Sequence, residues 1–316
     1  SIIEYIIKIK SQGAQSILYK IFNAKPYKIS INGEEKNIEN NYIYNLNRDE
    51  NNVTITWNNT LSNYSKMFYG LSNITEISFN ALDDTLVNDM SYMFYGCSNL
   101  QSINFINIYT SNVEYMNNIF NNCTSLQSLN LDKFYTLNVK TMKYMFYNCK
   151  QLQSIDLSSF NTSIAKNMDY MFYNCTMISS LNLRNFDTSS ITLMSYMFCN
   201  CLNITSLDLS TFITKQTTKM QYMFYNCKSL KTLNISGFKT SNVDDTRSMF
   251  CNCFSLTTLD LSSFDTSKVI YMSSMFQNCY KLSYLELSNF NTSIVKSMNS
   301  MFFGCNSTEF IDITNF

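Results

Sequence analysis

Acidic side chains that recur at one fixed interval are the first residues in this 316-residue chain that could do chemistry. They lie at multiples of 26 residues, and Asn fills the position between the earlier ones. The acids are Asp156, Asp208, Asp260, Glu286 and Asp312. The last three have no Asn between them, which suits a cation site or the carboxylate pair of a retaining glycosidase, about 5 Å apart. We favour a solvated polar face whose carboxylates have slightly raised pKa values.

Cysteines follow the same 26-residue interval from Cys97 to Cys305, and Cys199 and Cys251 are two additional ones. Thiols in neighbouring repeats would be about 5 Å apart, but parallel Cα–Cβ bonds would aim the sulfurs poorly for a disulfide. We therefore predict buried free thiols that act as small hydrophobic groups. Disulfides and a reactive thiol are the alternatives. The chain has no His, which excludes Ser–His and Cys–His catalysis and every His-containing zinc site.

Tyrosines form two further columns with this interval. One column holds Tyr92, Tyr144, Tyr170, Tyr196 and Tyr222, and the other holds Tyr69, Tyr95, Tyr147, Tyr173 and Tyr225. The two columns are three residues apart, so on a helix they would be neighbours at the edge of the buried stripe. They could form an exposed aromatic ridge that binds a glycan or protein. Lateral packing between repeats is the interpretation that we favour.

Composition narrows the function classes. Lys plus Arg and Asp plus Glu number 23 each, so the net charge is zero and only 15% of residues are charged. Such a chain has no electrostatic basis for binding nucleic acid or anionic lipid. Its six Gly are too scattered for a nucleotide-binding loop, so we predict no cofactor. No apolar run approaches the roughly 20 residues that cross a bilayer, which predicts no membrane insertion within this segment. Because the sequence starts with Ser, we expect a piece of a longer protein.

A repeat of 26 residues accounts for these columns. The dipeptide Met-Phe begins at 67, 93, 145, 171, 197, 223, 249, 275 and 301, and Ile119-Phe120 fills the single gap. Self-similarity at a fixed period is the signature of a solenoid, in which each repeat buries its faces against its neighbours.

One repeat indicates the local structure. The pattern Leu256-x-x-Leu259-x-Leu261 is typical of a leucine-rich-repeat strand. Thr266 then predicts a helix N-cap, and apolar residues at steps of three and four up to Cys279 predict one helix face. Gly or Asn always precedes the Cys, which predicts a left-handed residue that ends the helix.

The predicted fold class is therefore α/β, a right-handed leucine-rich-repeat solenoid of ten 26-residue β-α rungs with an N-terminal cap. We assign residues 67–316 to the solenoid and residues 1–66 to the capping region. Within that region the sequence predicts strands at 6–10, 28–31, 42–44 and 53–57, a short helix at 15–22 and a turn at 32–33.

The segments LDLSSFDTSKV, MSSMFQNC and LSNFNTSIVKSM resemble the 26-residue leucine-rich repeats of BspA-like surface proteins, a family first catalogued as a mycoplasma domain of unknown function. The resemblance covers about residues 67–316. It implies a leucine-rich repeat displayed at the cell surface or outside the cell and used in adhesion or host contact. It supplies no catalytic residues.

The predicted solenoid favours recognition without catalysis. Together with that shape, the resemblance implies a non-enzymatic recognition or adhesion module that presents a polar concave sheet face to a protein or glycan. Self-association through the open C-terminal rung is a further expectation. An intracellular or structural scaffold is the alternative that unoxidised thiols would suit. A carbohydrate-active enzyme built on the last three acids is the third hypothesis.

Overall fold

The computed structural model describes residues 2–80, 86–106, 108 and 110–316. Two compact units divide the chain, one formed by Ser1–Val139 with Met145–Phe160 and the other by Lys140–Tyr144 with Asn161–Phe316. The strands within the described residues are β1 Ile3–Ile9, β2 Gly13–Ser16, β3 Lys28–Ile31, β4 Glu34–Lys36, β5 Ile43–Leu46, β6 Asn51–Trp57, β7 Ile74–Phe79, β8 Ser102–Phe105, β9 Ser128–Asn130, β10 Ser154–Asp156, β11 Ser206–Asp208, β12 Thr232–Asn234, β13 Tyr284–Glu286 and β14 Phe310–Asp312.

In the first unit, a sheet joins the N-terminal segment to the first repeats. Its strand order is β4-β3-β6-β1-β7-β8. β1 alternates buried and half-buried residues, as expected for a strand with one face toward a core. It pairs antiparallel with β6 on one side and with β7, the first repeat strand, on the other. β7 then pairs in parallel with β8, with Ile77 opposite Ile103.

The elements predicted for the N-terminal segment are found with one exception. The predicted turn at Asn32-Gly33 joins β3 to β4 with φ values of 53° and 87°, which Asn and Gly tolerate best. The helix predicted over 15–22 is wrong. Gln15 and Ser16 belong instead to β2, whose residues pair with β5, because strand pairing across the chain overrides a weak local preference.

The helix predicted within each repeat is also wrong, and the described residues contain no helix. Each repeat places two residues with positive φ four positions apart, for example Tyr170 and Asn174, both at 59°. An α-helix requires negative φ at every residue, so it cannot continue through such a segment. The fold is therefore a leucine-rich-repeat solenoid of about nine turns, built of strands and β-turns instead of β-α rungs.

Backbone hydrogen bonds in this segment alternate between two partners. The N–H groups of Tyr170, Phe172 and Asn174 donate to carbonyls of the next repeat at 2.8–2.9 Å. Those of Met171, Tyr173 and Cys175 donate to the residue three positions earlier, each at 3.2 Å, which closes a β-turn. In these consecutive turns, side chains at steps of three and four still point inward. One face of a helix has the same spacing, which is why the sequence pattern predicted a helix.

Stacked Phe side chains fill the centre of each unit. In the second unit the ring of Phe198 lies 5.8 Å from that of Phe172 and 5.6 Å from that of Phe224, with interplanar angles of 3° and 5°. In the first unit Phe94 and Phe120 stack at 5.5 Å. All five rings are fully buried. Side chains from equivalent positions thus form the spines that a solenoid needs.

The Thr column is a ladder between repeats and not a set of helix N-caps. The Thr240 hydroxyl donates to the backbone oxygen of Asp265 and accepts from the N–H of the same residue, both at 2.8 Å. Thr214 and Thr266 make the same pair of bonds to the repeats that follow them. Each hydroxyl therefore satisfies a donor and an acceptor of the next repeat, which explains a buried Thr in this position.

Candidate binding face

The three-residue strands leave one face of each parallel sheet uncovered. The middle side chain of a strand points inward, as Leu207 does, and the residues on either side of it point outward. We call these outward residues the sheet face. In the second unit the residues before the middle one include Ser206, Thr232, Thr258, Tyr284 and Phe310. The residues after it include Asp208, Asn234, Asp260, Glu286 and Asp312.

Every predicted acidic residue lies on this face and accepts a hydrogen bond from the backbone N–H two residues later. Oδ1 of Asp260 accepts from Ser262 at 2.9 Å, and Oε1 of Glu286 accepts from Ser288 at 3.1 Å. Asp156, Asp208 and Asp312 make equivalent bonds at 2.9–3.1 Å. The acids therefore also stabilise the turn that ends each strand.

The expectation of slightly raised pKa values is wrong for four of these acids. Backbone and side-chain hydrogen bonds from Ser158 and Ser262 lower the pKa of Asp156 and of Asp260. Ser210 lowers the pKa of Asp208 in the same way, and Thr314 lowers that of Asp312. Hydrogen bonds to the charged form outweigh the small desolvation of these exposed or half-buried carboxyl groups.

We expect the Asp208 and Asp260 carboxyl groups to titrate below the usual Asp pKa of about 3.9 in an NMR pH titration. A lowered folded-state pKa means that these groups stabilise the fold above the unfolded-state pKa. That contribution is lost as the pH falls through the folded-state value. Values above the usual one would contradict the observed hydrogen bonds. The variant Asp260→Asn is the control, because it removes the titrating carboxyl group and can keep the turn bond. Asn234 already accepts the same bond from Ser236 at 3.2 Å.

Four of the five acids line three separate shallow grooves. Asp260 and Glu286 line one groove of about 370 Å³ together with Asn234. Asp208 lines a neighbouring groove of about 310 Å³ and also pairs with Arg184 at 3.0 Å. Asp156 lines a groove of about 470 Å³ in the first unit.

Asp312 lies outside these three grooves. Asp312 follows Glu286 in register on β14. Among the described residues, no group of three or more acidic or Cys side chains is placed to hold a metal ion.

Two aromatic residues of the sheet face were missed. Tyr284 and Phe310 precede the middle residues of β13 and β14, are 49% and 45% exposed, and stack with ring centroids 4.9 Å apart. The signal was present in the sequence, because the same column holds Ser or Thr from 102 to 258. The change to Tyr and Phe falls where the acids follow one another without Asn.

The Cys column consists of free thiols, and all except Cys305 are buried. Sγ of Cys201 donates to the backbone oxygen of Phe172 at 3.2 Å, and Cys227 makes the same bond to Phe198. Burial raises the pKa of the Cys227 thiol to about 12. A thiol is a nucleophile only when it is deprotonated. Burial therefore lowers thiol reactivity in two ways, because it blocks the approach of reagents and, as at Cys227, raises the pKa so that the thiol stays protonated.

We expect iodoacetamide at mildly alkaline pH to modify Cys305 in the folded chain and to leave the other ten thiols intact. Cys305 is half-buried, so reagent reaches it more readily. Mass spectrometry of labelled peptides gives the result, with urea-unfolded chain as the control in which all eleven react. Labelling of Cys201 or Cys253 at the rate of Cys305 would contradict their burial.

The Tyr columns pack along the stack. Tyr170 lies 4.5 Å from Tyr196, and Tyr196 lies 4.7 Å from Tyr222, with nearly parallel rings. The three residues are half-buried and have positive φ near 59°, a conformation that costs a non-Gly residue about 1–2 kcal/mol. Stacking with two neighbours offsets that cost, so lateral packing is the role that the structure shows.

Among the described residues, no helix has the length and apolarity needed to cross a bilayer.

Three solved structures illustrate the similarity to known proteins. A leucine-rich-repeat protein of Leptospira interrogans is 14% identical, with 78% of this chain and 73% of that chain covered and a TM-score of 0.29. A leucine-rich-repeat protein of Bacteroides ovatus is 15% identical, with coverages of 87% and 99% and a TM-score of 0.30. Drosophila Toll in complex with Spatzle is 16% identical, with coverages of 70% and 32% and a TM-score of 0.34. Likeness at this level does not identify a ligand.

Family comparisons are more informative. No curated protein is similar to the chain in sequence. The profile of the BspA type leucine-rich repeat region matches residues 6–114. The profile described as Mycoplasma protein of unknown function, DUF285, matches residues 62–181, 155–255 and 249–316. Because the latter matches together span most of the chain, the chain belongs to the family Mycoplasma protein of unknown function, DUF285, and is a BspA-like leucine-rich-repeat protein.

Proposed function

We propose that this chain is a non-enzymatic recognition module that binds a protein ligand through its sheet face. The observation that carries the proposal is the uncovered face itself. Its residues are exposed or half-buried along the strands, from Ser206 and Asp208 to Phe310 and Asp312. Short parallel strands in register give a rigid row of side chains, so little conformational entropy is lost when a partner binds. In this proposal the ligand face of the second unit includes Asp208, Asp260, Glu286 and Asp312, and Asp156 belongs to the sheet face of the first unit.

The acids support binding better than catalysis. A glycosidase needs one carboxyl group with a raised pKa to act as the general acid. Asp260 and Asp312 flank Glu286. Backbone and side-chain hydrogen bonds from Ser262 lower the pKa of Asp260, and side-chain and backbone hydrogen bonds from Thr314 lower the pKa of Asp312. Both are therefore ionised near neutral pH and suit a role as fixed negative charges.

The proposed setting is the cell surface or its exterior, in adhesion or contact with a host. Membership of the BspA-like family supports this setting. The buried thiols suit an intracellular scaffold equally well, because burial protects them in either compartment. We further propose that residues 1–66 act as a cap, since β1 lies alongside β7 of the first repeat and continues its sheet.

A cell-binding assay tests this function. Fluorescently labelled chain is incubated with a panel of animal epithelial and bacterial cells, and we expect binding that protease treatment of the cells abolishes and periodate treatment preserves. Ser206→Arg should weaken binding because it places a long charged side chain on the sheet face. Gln216→Arg is the control, since Gln216 is exposed outside the strands. Absence of binding, binding lost with periodate alone, or equal effects of both variants would contradict the proposal.

A further inference from the structure

The sheet face changes its chemistry at the C-terminal end of the second unit. Thr258, Tyr284 and Phe310 are neighbours in one outward column, because Thr258 bridges to Tyr284 and Tyr284 pairs with Phe310. Phe310 stacks on one side of the Tyr284 ring with an interplanar angle of 10°. The small Thr258 on the other side leaves that face of the ring at the edge of a groove.

This groove combines the aromatic ring with fixed negative charge. Its lining includes Thr258, Asp260, Tyr284 and Glu286, together with Asn234 and leucine side chains. The Tyr284 hydroxyl donates to Oε2 of Glu286 at 3.1 Å, which holds ring and carboxylate together. Each carboxylate has about four acceptor sites. Asp260 accepts from the backbone N–H and the side chain of Ser262, and Glu286 accepts from the Ser288 N–H and the Tyr284 hydroxyl, so each keeps acceptor capacity for a ligand.

We propose that this groove binds an arginine side chain of a protein ligand, with the guanidinium over the Tyr284 ring and hydrogen-bonded to Asp260 and Glu286. The proposal rests on protein recognition by the sheet face and names the part of the ligand that this end of the face selects.

Charge complementarity favours a cation over a neutral glycan. The described lining residues include two acids and neither Lys nor Arg. Asp312 adds a third negative charge on the next strand. Arg suits this arrangement better than Lys, because a planar guanidinium stacks on an aromatic face and forms two parallel bonds to carboxylates.

The probe is the peptide acetyl-Gly-Arg-Gly-Arg-Gly-Arg-amide, and isothermal titration calorimetry with the full chain measures its affinity. We expect Tyr284→Leu and Glu286→Gln each to weaken binding about tenfold. The Gly-Lys peptide should bind more weakly, and the Gly-citrulline peptide, which is uncharged, should not bind measurably. Because Tyr284 is half exposed and Gln can still accept from Ser288, we expect both variants to fold, as checked by their melting temperatures.

Asp187→Asn is the matched control. Asp187 is exposed outside the strands and outside the sheet face, and it accepts an equivalent bond from the backbone N–H of Ser189 at 2.9 Å. A diffuse attraction to negative charge would weaken with either acid removed, whereas a local site predicts less than about a twofold effect of Asp187→Asn. Equal effects of Asp187→Asn and Glu286→Gln, no binding of the Arg peptide, or binding of the neutral oligosaccharide maltohexaose in its place would overturn the proposal.

Failure of this inference is distinguishable from failure of the proposed function. If the Arg peptide does not bind while cell binding persists and responds to Ser206→Arg, the arginine site is wrong and protein recognition by the face stands. If cell binding fails in the wild-type chain, the broader function is wrong.

Discussion

Replacing Phe198 with alanine is expected to lower the free energy of unfolding of the second unit by about 3–5 kcal/mol. The ring is fully buried and stacks on Phe172 and Phe224. Its removal leaves a cavity between the Phe172 and Phe224 rings that cannot close without shifting whole repeats. Urea unfolding followed by far-ultraviolet circular dichroism measures the change. Fluorescence of the single Trp57 is unsuitable, because that residue lies in the first unit.

The control for this variant is Phe303→Ala. Phe303 is 67% exposed, so its truncation should change the free energy of unfolding by less than about 0.5 kcal/mol. A loss below about 1 kcal/mol for Phe198→Ala would show that the stacked rings do not form the core.

Replacing Thr240 with valine is expected to lower the free energy of unfolding by about 2–4 kcal/mol. Valine has nearly the same shape, so the change removes the hydroxyl and little else. It leaves the N–H and the carbonyl of Asp265 without the partner that each has at 2.8 Å. An unsatisfied buried group costs about 1–3 kcal/mol, and Thr240 is only 1% exposed, so water cannot replace the hydroxyl. Urea unfolding measures this change as well.

Thr240→Ser is the matched variant, because it keeps the hydroxyl and removes one methyl group. We expect it to cost about 1 kcal/mol, in line with the loss of one buried carbon. If Val were tolerated as well as Ser, packing and not hydrogen bonding would explain the Thr column.

Much of the fold follows from the period of the sequence. A phase of 26 residues places equivalent side chains above one another, so the stacking of Phe172 on Phe198 is confirmed. The helix was wrong because consecutive β-turns bury residues at the same steps of three and four as a helix does. The Gly and Asn column did indicate the second left-handed residue of each repeat. The first is often Tyr, as at Tyr170, a residue type that does not signal positive φ.

The site was predictable in part for a similar reason. Strand alternation places Asp260 and Glu286 on the outward face, and the structure places them there. Their bonds to Ser262 and Ser288 depend on the turn that follows the strand, which the apolar pattern does not describe. A repeat is recognised by the positions that stay the same. Tyr284 departs from the Ser or Thr of its column, so the repeat pattern did not indicate it as a candidate.

Recognition by the sheet face is tested most directly by site-specific photocrosslinking in the intact protein in its own cells. Benzoylphenylalanine is incorporated at Ser206 on the face or at exposed Gln216 outside the strands. We predict a discrete crosslinked protein from position 206 and none from position 216. Crosslinking from position 216 alone, or to the same extent from both, would contradict recognition by this face.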